Sequence, residues 1–132
     1  MPMPVLRPLR VLVVDDYPDT ADATVQLTAL YGYDARAACS CREARDAVAS
    51  GFAPDVVLLD LRLSDGEGLA LAEDLCRALS RRPVLVVITA LQGQDERCRA
   101  AGIDRVFLKP ADPRELRALL DGYANSLGER GA

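Results

Sequence analysis

Apolar residues occur along this chain in short continuous runs that alternate with longer segments of helical spacing. Four runs are strong, VLVV at 11–14, VVLL at 56–59, VLVVI at 84–88 and VFL at 106–108, and a weaker one, DARAA, covers 34–38. A continuous apolar run is typical of a strand that is buried on both faces, as in a parallel sheet. The pattern therefore predicts five strands, four of them deeply buried.

The segments between these runs predict five helices. The second covers about 41–50, and the fourth lies within 91–102, where so few residues are apolar that we expect weak anchoring. Asp112 and Pro113 form a start signal for the last helix. The expected buried stripes are Ala23, Leu27, Leu30 and Tyr31 in the first helix, Ala44, Ala47 and Val48 in the second, Ala72, Leu75, Cys76 and Leu79 in the third, Leu91, Cys98, Ala100 and Ala101 in the fourth, and Leu116, Leu119, Leu120, Tyr123 and Leu127 in the fifth.

Strict alternation of strand and helix predicts an α/β fold of the form (βα)5, a doubly wound five-stranded parallel sheet with helices on both faces. Right-handed crossovers leave few strand orders for such a sheet. Folds of this class bind ligands beyond the carboxyl ends of the strands, where the strand order reverses. The residues that directly follow the strands are therefore the candidates for a functional site.

Composition and charge narrow the class of protein. The chain has 132 residues, of which half are apolar and 27% are charged, and this predicts one globular domain. The proline-containing start predicts a short arm at 1–7, and the last apolar position of the final helix, Leu127, leaves a tail at 128–132, so the domain itself is expected over 8–127. A net charge of −4 with scattered basic residues disfavours nucleic-acid binding. The lack of a long apolar run predicts no membrane span, and the proline-containing start does not fit a signal peptide, so we expect a cytoplasmic protein with reduced cysteines.

Polar residues follow four of the five predicted strands. Asp15 and Asp16 follow the first, Asp60 the third, Thr89 the fourth, and Lys109, the only lysine of the chain, the fifth. Because the carboxyl ends of parallel strands share one edge, we expect these side chains to meet there. Three carboxylates at one site repel each other strongly unless a cation binds. Oxygen ligands favour a hard ion, Mg²⁺ before any transition metal.

A carboxylate cluster with a metal, a hydroxyl and a lysine suits phosphoryl transfer. Asp60 is the predicted nucleophile because it ends the central buried run and precedes a loop, SDGEG at 64–68, that we expect to be flexible. Asp65 and Glu67 in that loop are predicted to be solvated turn residues. The competing interpretation, in which the acids only cap strands and helices, does not explain why Thr89 and Lys109 stand at the matching ends of two other strands.

Taken together, these motifs resemble the receiver domain of two-component response regulators. The similar segments are VLVVDD at 11–16, VVLLDLRLSDGEGL at 56–69, VVITA at 86–90 and VFLKP at 106–110, and the likeness extends over about 8–127. The resemblance implies a flavodoxin-like fold with strand order 2-1-3-4-5. It also implies that the peptide bond between Lys109 and Pro110 is commonly cis.

The resemblance assigns a role to each residue of the site. Asp60 would be the phosphoacceptor, and Thr89 and Lys109 would bind the phosphoryl group. The implied Mg²⁺ ligands are Asp16 and Asp60, Asp15 largely through coordinated water, and the backbone carbonyl of Arg62.

The implied function is signalling rather than substrate turnover. A sensor histidine kinase or a phosphotransfer protein would donate the phosphoryl group in a Mg²⁺-dependent reaction, and slow autodephosphorylation would end the signal. With few residues after the last helix, we expect a stand-alone receiver whose output is the binding of a downstream protein. The expected binding surface is formed by the fourth helix, the fifth strand and the fifth helix, α4-β5-α5; a homodimer through this surface stays open.

Two positions depart from the family pattern, and a third, Arg62, is expected close to the site. Ser64 replaces a common proline, which should alter only loop stiffness. Val106 stands where the family usually has an aromatic residue that turns inward on signalling, and Phe107 cannot replace it because neighbouring strand residues point to opposite faces. Arg62 either leans over the site and affects attack by water on the acyl phosphate, or is simply solvated.

Three alternative functions follow from these observations. The chain could be the receiver end of a hybrid histidine kinase. It could be a phosphatase that uses an aspartyl phosphate, although such enzymes commonly carry a second carboxylate where this chain has Arg62. It could also be an interaction module that is never phosphorylated, which the absence of an aromatic residue at Val106 keeps open.

Overall fold

The predicted alternation of strands and helices is present in the computed structural model, which describes residues 7–130. The sheet strands are β1 (Arg10–Val14), β2 (Asp34–Ala38), β3 (Val56–Leu59), β4 (Val84–Thr89) and β5 (Arg105–Leu108). The helices are α1 (Pro18–Leu30), α2 (Cys41–Ala49), α3 (Gly68–Ala78), α4 (Asp95–Ala100) and α5 (Pro113–Arg130). Of the predicted arm, 1–6 lie outside the described residues, as do 131–132 of the predicted tail; α5 continues into that tail as far as Arg130.

The five strands form one parallel sheet in the order β2-β1-β3-β4-β5, which confirms the predicted fold and strand order. Val14 at the end of β1 pairs with Ala38 on one side and with Leu59 on the other. The chain therefore winds outward in both directions from β1 and β3. The carboxyl ends of these two strands form the switch point at which this fold class binds ligands.

Both faces of the sheet are buried, as the continuous apolar runs predict. On one face, Val11 and Val13 pack with residues of α1 and α5, including Val25 and Leu120. On the other face, the alternate residues of the same strands pack against α2, α3 and α4. Because neighbouring strand residues point to opposite faces, a strand between two helix layers needs apolar residues at every position.

The buried face of α1 differs from the predicted stripe. Ala23 and Leu30 are exposed, Leu30 to 82%, whereas Ala21 and Thr28 are fully buried. The Thr28 hydroxyl donates to the Thr24 carbonyl at 2.6 Å, which satisfies the hydroxyl within the helix and allows it to face the sheet. The prediction was wrong because it counted apolar side chains, while this helix buries a threonine.

The last two helices differ in how firmly they are anchored. In α4, which has only six residues, Cys98 alone is buried, and the expected burial of Ala100 and Ala101 is wrong because both are exposed. Helix α5 instead buries Leu116 and Leu120, as predicted, and the Asp112 carboxylate accepts a hydrogen bond from the amide of the second helical residue at 2.8 Å. Across residues 7–130, no helix combines the length and apolar character needed to cross a membrane.

Candidate functional site

The backbone of the sheet extends one residue beyond three of its strands. The amides of Asp15, Asp60 and Lys109 each donate to a carbonyl of the neighbouring strand, at 3.1, 3.0 and 2.8 Å. These bonds continue the parallel ladder, so the three residues stand in register at the carboxyl edge of the sheet. Sheet hydrogen bonding thus fixes the backbone position from which each of these side chains extends.

Three carboxylates and one ammonium group meet at this edge. Oxygen atoms of Asp15, Asp16 and Asp60 all lie within 4.8 Å of one another. The Lys109 ammonium nitrogen, Nζ, lies 2.9 Å from Asp15 Oδ2 and 2.8 Å from Asp60 Oδ2. One positive charge is therefore shared among three negative charges, and the site keeps an excess of negative charge.

The lysine is held in its charged form by the two aspartates. Burial lowers the pKa of Lys109, but its hydrogen bonds to Asp60 and Asp15 outweigh burial and leave that pKa raised above the usual lysine value. The side chain of Lys109 is 24% exposed, so one end of the cluster is open to solvent. Lys109 can therefore act as a fixed positive charge beside Asp60 at any physiological pH.

The two adjacent aspartates have different surroundings. Asp15 is buried, and both of its oxygens are occupied, Oδ1 by the amide of Tyr17 at 3.0 Å and Oδ2 by Lys109. Within the part of the chain that the structure describes, no hydrogen-bond donor reaches the Asp16 carboxylate, which is half-buried. Asp16 is thus the carboxylate with the most capacity to bind a cation directly.

Thr89 closes the strand next to β3 and is 1% exposed. Its hydroxyl oxygen accepts a hydrogen bond from the amide of Leu91 at 3.1 Å. The amide of Lys109 donates to the Thr89 carbonyl, so the threonine and the lysine are linked through the backbone. The hydroxyl proton of Thr89 is left to bond another acceptor at this edge.

The loop after Asp60 is an ordered hairpin rather than the flexible loop predicted. Arg62–Leu63 pairs antiparallel with Gly66–Glu67, and the amide of Gly68 donates to the Leu61 carbonyl at 2.8 Å. A side chain at Gly68 would drive its Cβ into the carbonyl oxygen of Asp60, so only glycine fits there. We call residues 61–68 the acceptor hairpin.

Two acidic side chains of the acceptor hairpin have partners that the sequence did not reveal. The Asp65 carboxylate accepts hydrogen bonds from the amides of Cys41 and Arg42, at 2.8 and 3.0 Å. Glu67 forms an ion pair with Arg97 of α4 at 3.1 Å. Both residues are exposed and lie outside the carboxylate cluster, as predicted, but the sequence did not reveal these partners because they lie on helices remote in sequence.

Arg62 and Val106 were both singled out from the sequence. The Arg62 amide lies 3.5 Å from Asp60 Oδ1, and its side chain is exposed. Val106 packs against the core on the α2, α3 and α4 face, whereas Phe107 is buried on the opposite face. The structure thus confirms that Phe107 does not take the place of an aromatic residue at 106. The peptide bond between Lys109 and Pro110 is cis, as expected.

A cavity of about 440 Å³ opens beside the carboxylates, between α1 and the start of α5. Asp15, Asp60 and Lys109 line one end of it, and Thr24 and Leu27 of α1 line the other.

Comparison with known proteins agrees with this geometry. Residues 11–121 match the family model of the response regulator receiver domain. Response regulator MprA of Mycolicibacterium vanbaalenii is 34% identical over 113 residues, which cover 84% of this chain and 48% of MprA. The chain spans half or less of the length of the curated relatives it matches.

Two solved structures show the same fold at lower identity. A CheY-like receiver domain protein from Methanospirillum hungatei superposes with a TM-score of 0.82 at 23% identity, covering 96% of this chain and all of the other. Response regulator protein TrrA from Thermotoga maritima, solved in complex with Mg²⁺-BeF, superposes with a TM-score of 0.76 at 23% identity, covering 87% of this chain and 98% of TrrA.

Proposed function

We propose that this chain, which belongs to the response regulator receiver domain family, accepts a phosphoryl group on Asp60 in a Mg²⁺-dependent reaction. One observation carries the proposal: Lys109 Nζ bonds Asp15 and Asp60 at 2.9 and 2.8 Å, within a cluster of three carboxylates. A structural ion pair needs one carboxylate for one ammonium. The two carboxylates in excess of the ammonium group need a further cation, and one carboxylate oxygen is left free to react.

The donor set fits Mg²⁺. All the side-chain ligands are carboxylate oxygens within 4.8 Å of one another, and a hard divalent ion prefers such ligands. Asp16 and Asp60 would bind the ion directly, and the Arg62 carbonyl would add a backbone ligand. Asp15 would act through coordinated water, because its two oxygens are already occupied. The complex of TrrA with Mg²⁺-BeF supports this assignment by family likeness.

Each residue of the site has a separate role in phosphoryl transfer. An Asp60 oxygen attacks the phosphorus of a phosphohistidine, the P–N bond breaks, and the histidine nitrogen keeps the electron pair. Mg²⁺ held by Asp16 and Asp60 would supply positive charge for the phosphoryl oxygens. Lys109 neutralises further charge, and the Thr89 hydroxyl donates to a phosphoryl oxygen. The product is an acyl phosphate on Asp60.

The partner implied by this chemistry is a histidine kinase or a phosphotransfer protein. The acyl phosphate would change the balance between two arrangements of the site loops and the α4-β5-α5 surface, where a downstream protein binds. The short, weakly buried α4 favours such a rearrangement, because few contacts must break for it to move. The chain acts as a phosphoacceptor and not as a turnover enzyme.

The decisive test is intact-mass analysis after incubation with a small-molecule phosphodonor. We expect a single phosphoryl adduct in the presence of Mg²⁺ and none in the presence of EDTA. The Asp60→Asn variant should take no adduct, since an amide oxygen does not attack phosphorus. Asp22→Asn is the matched control, because Asp22 is exposed on α1 and the change again removes one charge.

The same experiment separates the alternatives. An adduct of equal yield on Asp60→Asn would mean that another residue accepts the group. If the parent chain takes no adduct from any phosphodonor, the chain is an interaction module that works without phosphorylation.

A further inference from the structure

The tip of the acceptor hairpin is fixed to the start of helix α2. Asp65 lies in the turn between the two short hairpin strands, and its carboxylate accepts the amides of Cys41 and Arg42, the first two residues of α2. A helix leaves its first amides without partners inside the helix, so a carboxylate placed there is stabilised by hydrogen bonds and by the helix dipole. These two hydrogen bonds attach the tip of the acceptor hairpin to the first turn of α2.

Helix α2 has its own cap besides Asp65. The Ser40 hydroxyl accepts a hydrogen bond from the amide of Glu43 at 3.0 Å. Ser40 therefore serves the third helical amide, and Asp65 serves the first two from 24 residues away along the chain. A helix that is already capped by its neighbouring serine does not need a second cap merely to begin, and the Asp65 bonds also hold the hairpin.

The back of the hairpin packs on the same helix. A Cβ at Gly66 would lie 3.2 Å from the Cys41 sulfur, so hairpin and helix are in close contact at this point. Burial of Cys41 and a hydrogen bond to Asp65 raise the pKa of its thiol to about 11, which keeps it neutral beside the carboxylate. The contact is therefore a packed one as well as a hydrogen-bonded one.

The base of the hairpin rests on the phosphoacceptor itself. Gly68 lies against the Asp60 carbonyl, and its amide bonds the Leu61 carbonyl. Arg62, whose carbonyl is the proposed backbone ligand of Mg²⁺, lies between this base and the tip. The closed hairpin thus connects Asp65 at its tip to the backbone of Asp60 and Arg62.

We propose that Asp65 is a positioning residue of the phosphorylation site, which fixes the acceptor hairpin to α2 and so sets the backbone of Asp60 and Arg62 for Mg²⁺ and the phosphoryl group. The inference rests on the proposed function of Asp60. It adds that α2 forms part of the support of the site, and that Asp65 acts without touching the metal or the phosphoryl group.

The test compares Asp65→Ala with Ser40→Ala. Both variants remove a cap from the same helix end and lower thermal stability, but only the first releases the hairpin. Mg²⁺ affinity is measured by NMR titration of the folded chain, which has no tryptophan for fluorescence. We expect Asp65→Ala to raise the Kd for Mg²⁺ about tenfold, as the loss of an outer support of a metal site does, and to slow adduct formation. Ser40→Ala should leave both unchanged.

Two further variants control for charge and for folding. Glu67→Gln removes one negative charge from the same hairpin together with its ion pair to Arg97, and it leaves both bonds to α2 in place. An equal loss of Mg²⁺ affinity there would show that the effect does not depend on α2 and would overturn the proposal. Asp65→Asn retains the size of the side chain and one acceptor oxygen. It should fold if the alanine variant does not, and its Mg²⁺ affinity should lie between those of the parent and Asp65→Ala.

Hydrogen exchange of the Gly68 amide in metal-free buffer separates this proposal from the function of Asp60. Faster exchange in Asp65→Ala than in Ser40→Ala supports the attachment even if the parent chain takes no phosphoryl group. Equal exchange and equal Mg²⁺ affinity in the two variants would show that Asp65 only caps the helix, and the proposal would be wrong.

Discussion

The two ends of the parallel sheet both hold a carboxylate beside a cation, yet they are balanced differently. At the amino end, Asp55 precedes β3 and accepts two hydrogen bonds from the Arg7 guanidinium, at 2.7 and 2.8 Å. It accepts a third from the amide of Arg10, at 2.8 Å. At the carboxyl end, Lys109 serves two carboxylates, and Asp16 stands beside them as a third.

The difference separates a structural pair from a chemical site. Asp55 has one opposite charge and three donors, so it is satisfied as it stands. The carboxyl end has three negative charges for one positive, and this imbalance costs stability unless a cation binds. A buried charge is therefore evidence of function when it lacks compensation, and the mere presence of an ion pair is not.

The largest expected contrast between the two ends is the response to Mg²⁺. At a Mg²⁺ concentration of one hundred times its Kd, binding should add about 2.7 kcal/mol to the free energy of unfolding of the parent chain. Asp16→Asn should lose this gain because its carboxylate is the one without a competing partner. Urea unfolding in EDTA and in MgCl₂ measures the difference.

Asp55→Asn serves as the control for the Mg²⁺ experiment. It removes one carboxylate from the opposite end of the sheet, so it should retain the full gain in stability on addition of Mg²⁺. An Asp16→Asn chain that gains as much from Mg²⁺ as the parent would contradict the assignment of the acidic pair.

The amino end should be the more sensitive to mutation when no metal is present. Asp55→Asn removes the charge that the Arg7 guanidinium faces and leaves fewer acceptors for three donors, at a cost of about 2 kcal/mol in the free energy of unfolding. Asp22→Asn, on an exposed helix position without an ion pair among the described residues, should cost less than about 0.5 kcal/mol. The midpoints of urea unfolding measure both costs. Equal midpoints for the two variants would mean that the ion pair between Arg7 and Asp55 contributes nothing to stability.

Much of the fold and the location of the site could be predicted from the sequence, because both follow from local signals. Continuous apolar runs mark strands that are covered on both faces, and the polar residue after each run must lie at the shared edge. The clustering of Asp15, Asp16, Asp60 and Lys109 thus depends on strand boundaries alone. The residue types alone favoured Mg²⁺ and Asp60 as the nucleophile, and the family resemblance supplied the separate roles of the metal ligands.

What the sequence did not reveal depends on contacts between distant segments. Asp65 is a turn residue whose bonds to α2 are visible only once that helix is placed beside it, and nothing local links Asp55 to Arg7, 48 residues away. The face of α1 was misassigned for a different reason: Thr28 satisfies its hydroxyl within the helix and is buried like an apolar residue. Residue-type patterns do not record such bonds.

Acid should remove the stability that the Asp55 carboxylate contributes at the amino end of the sheet. Burial raises the pKa of Asp55, but the hydrogen bonds from Arg7 and Arg10 outweigh burial and leave that pKa lowered. A lowered carboxyl pKa contributes stability that is complete above the ordinary aspartate value of about 4 and is lost as the pH falls through the folded-state pKa. The gap in the free energy of unfolding between the parent chain and Asp55→Asn should therefore be constant from pH 7 to about pH 5 and close below pH 4. A gap that does not narrow at all below pH 4 would mean that the variant loses packing rather than charge pairing.

The smallest expected effect has the opposite sign and distinguishes the two ends most directly. In metal-free buffer, Asp16→Asn should raise the free energy of unfolding by about 1 kcal/mol, because it removes a charge that is repelled by Asp15 and Asp60 and only partly balanced by Lys109. The change costs no hydrogen bond among the described residues. High salt should reduce the gain by screening, as expected of a charge effect at a partly exposed site. If Asp16→Asn destabilises the metal-free chain as Asp55→Asn does, both ends of the sheet are structural pairs and the surplus of charge at Asp60 is not what makes the site.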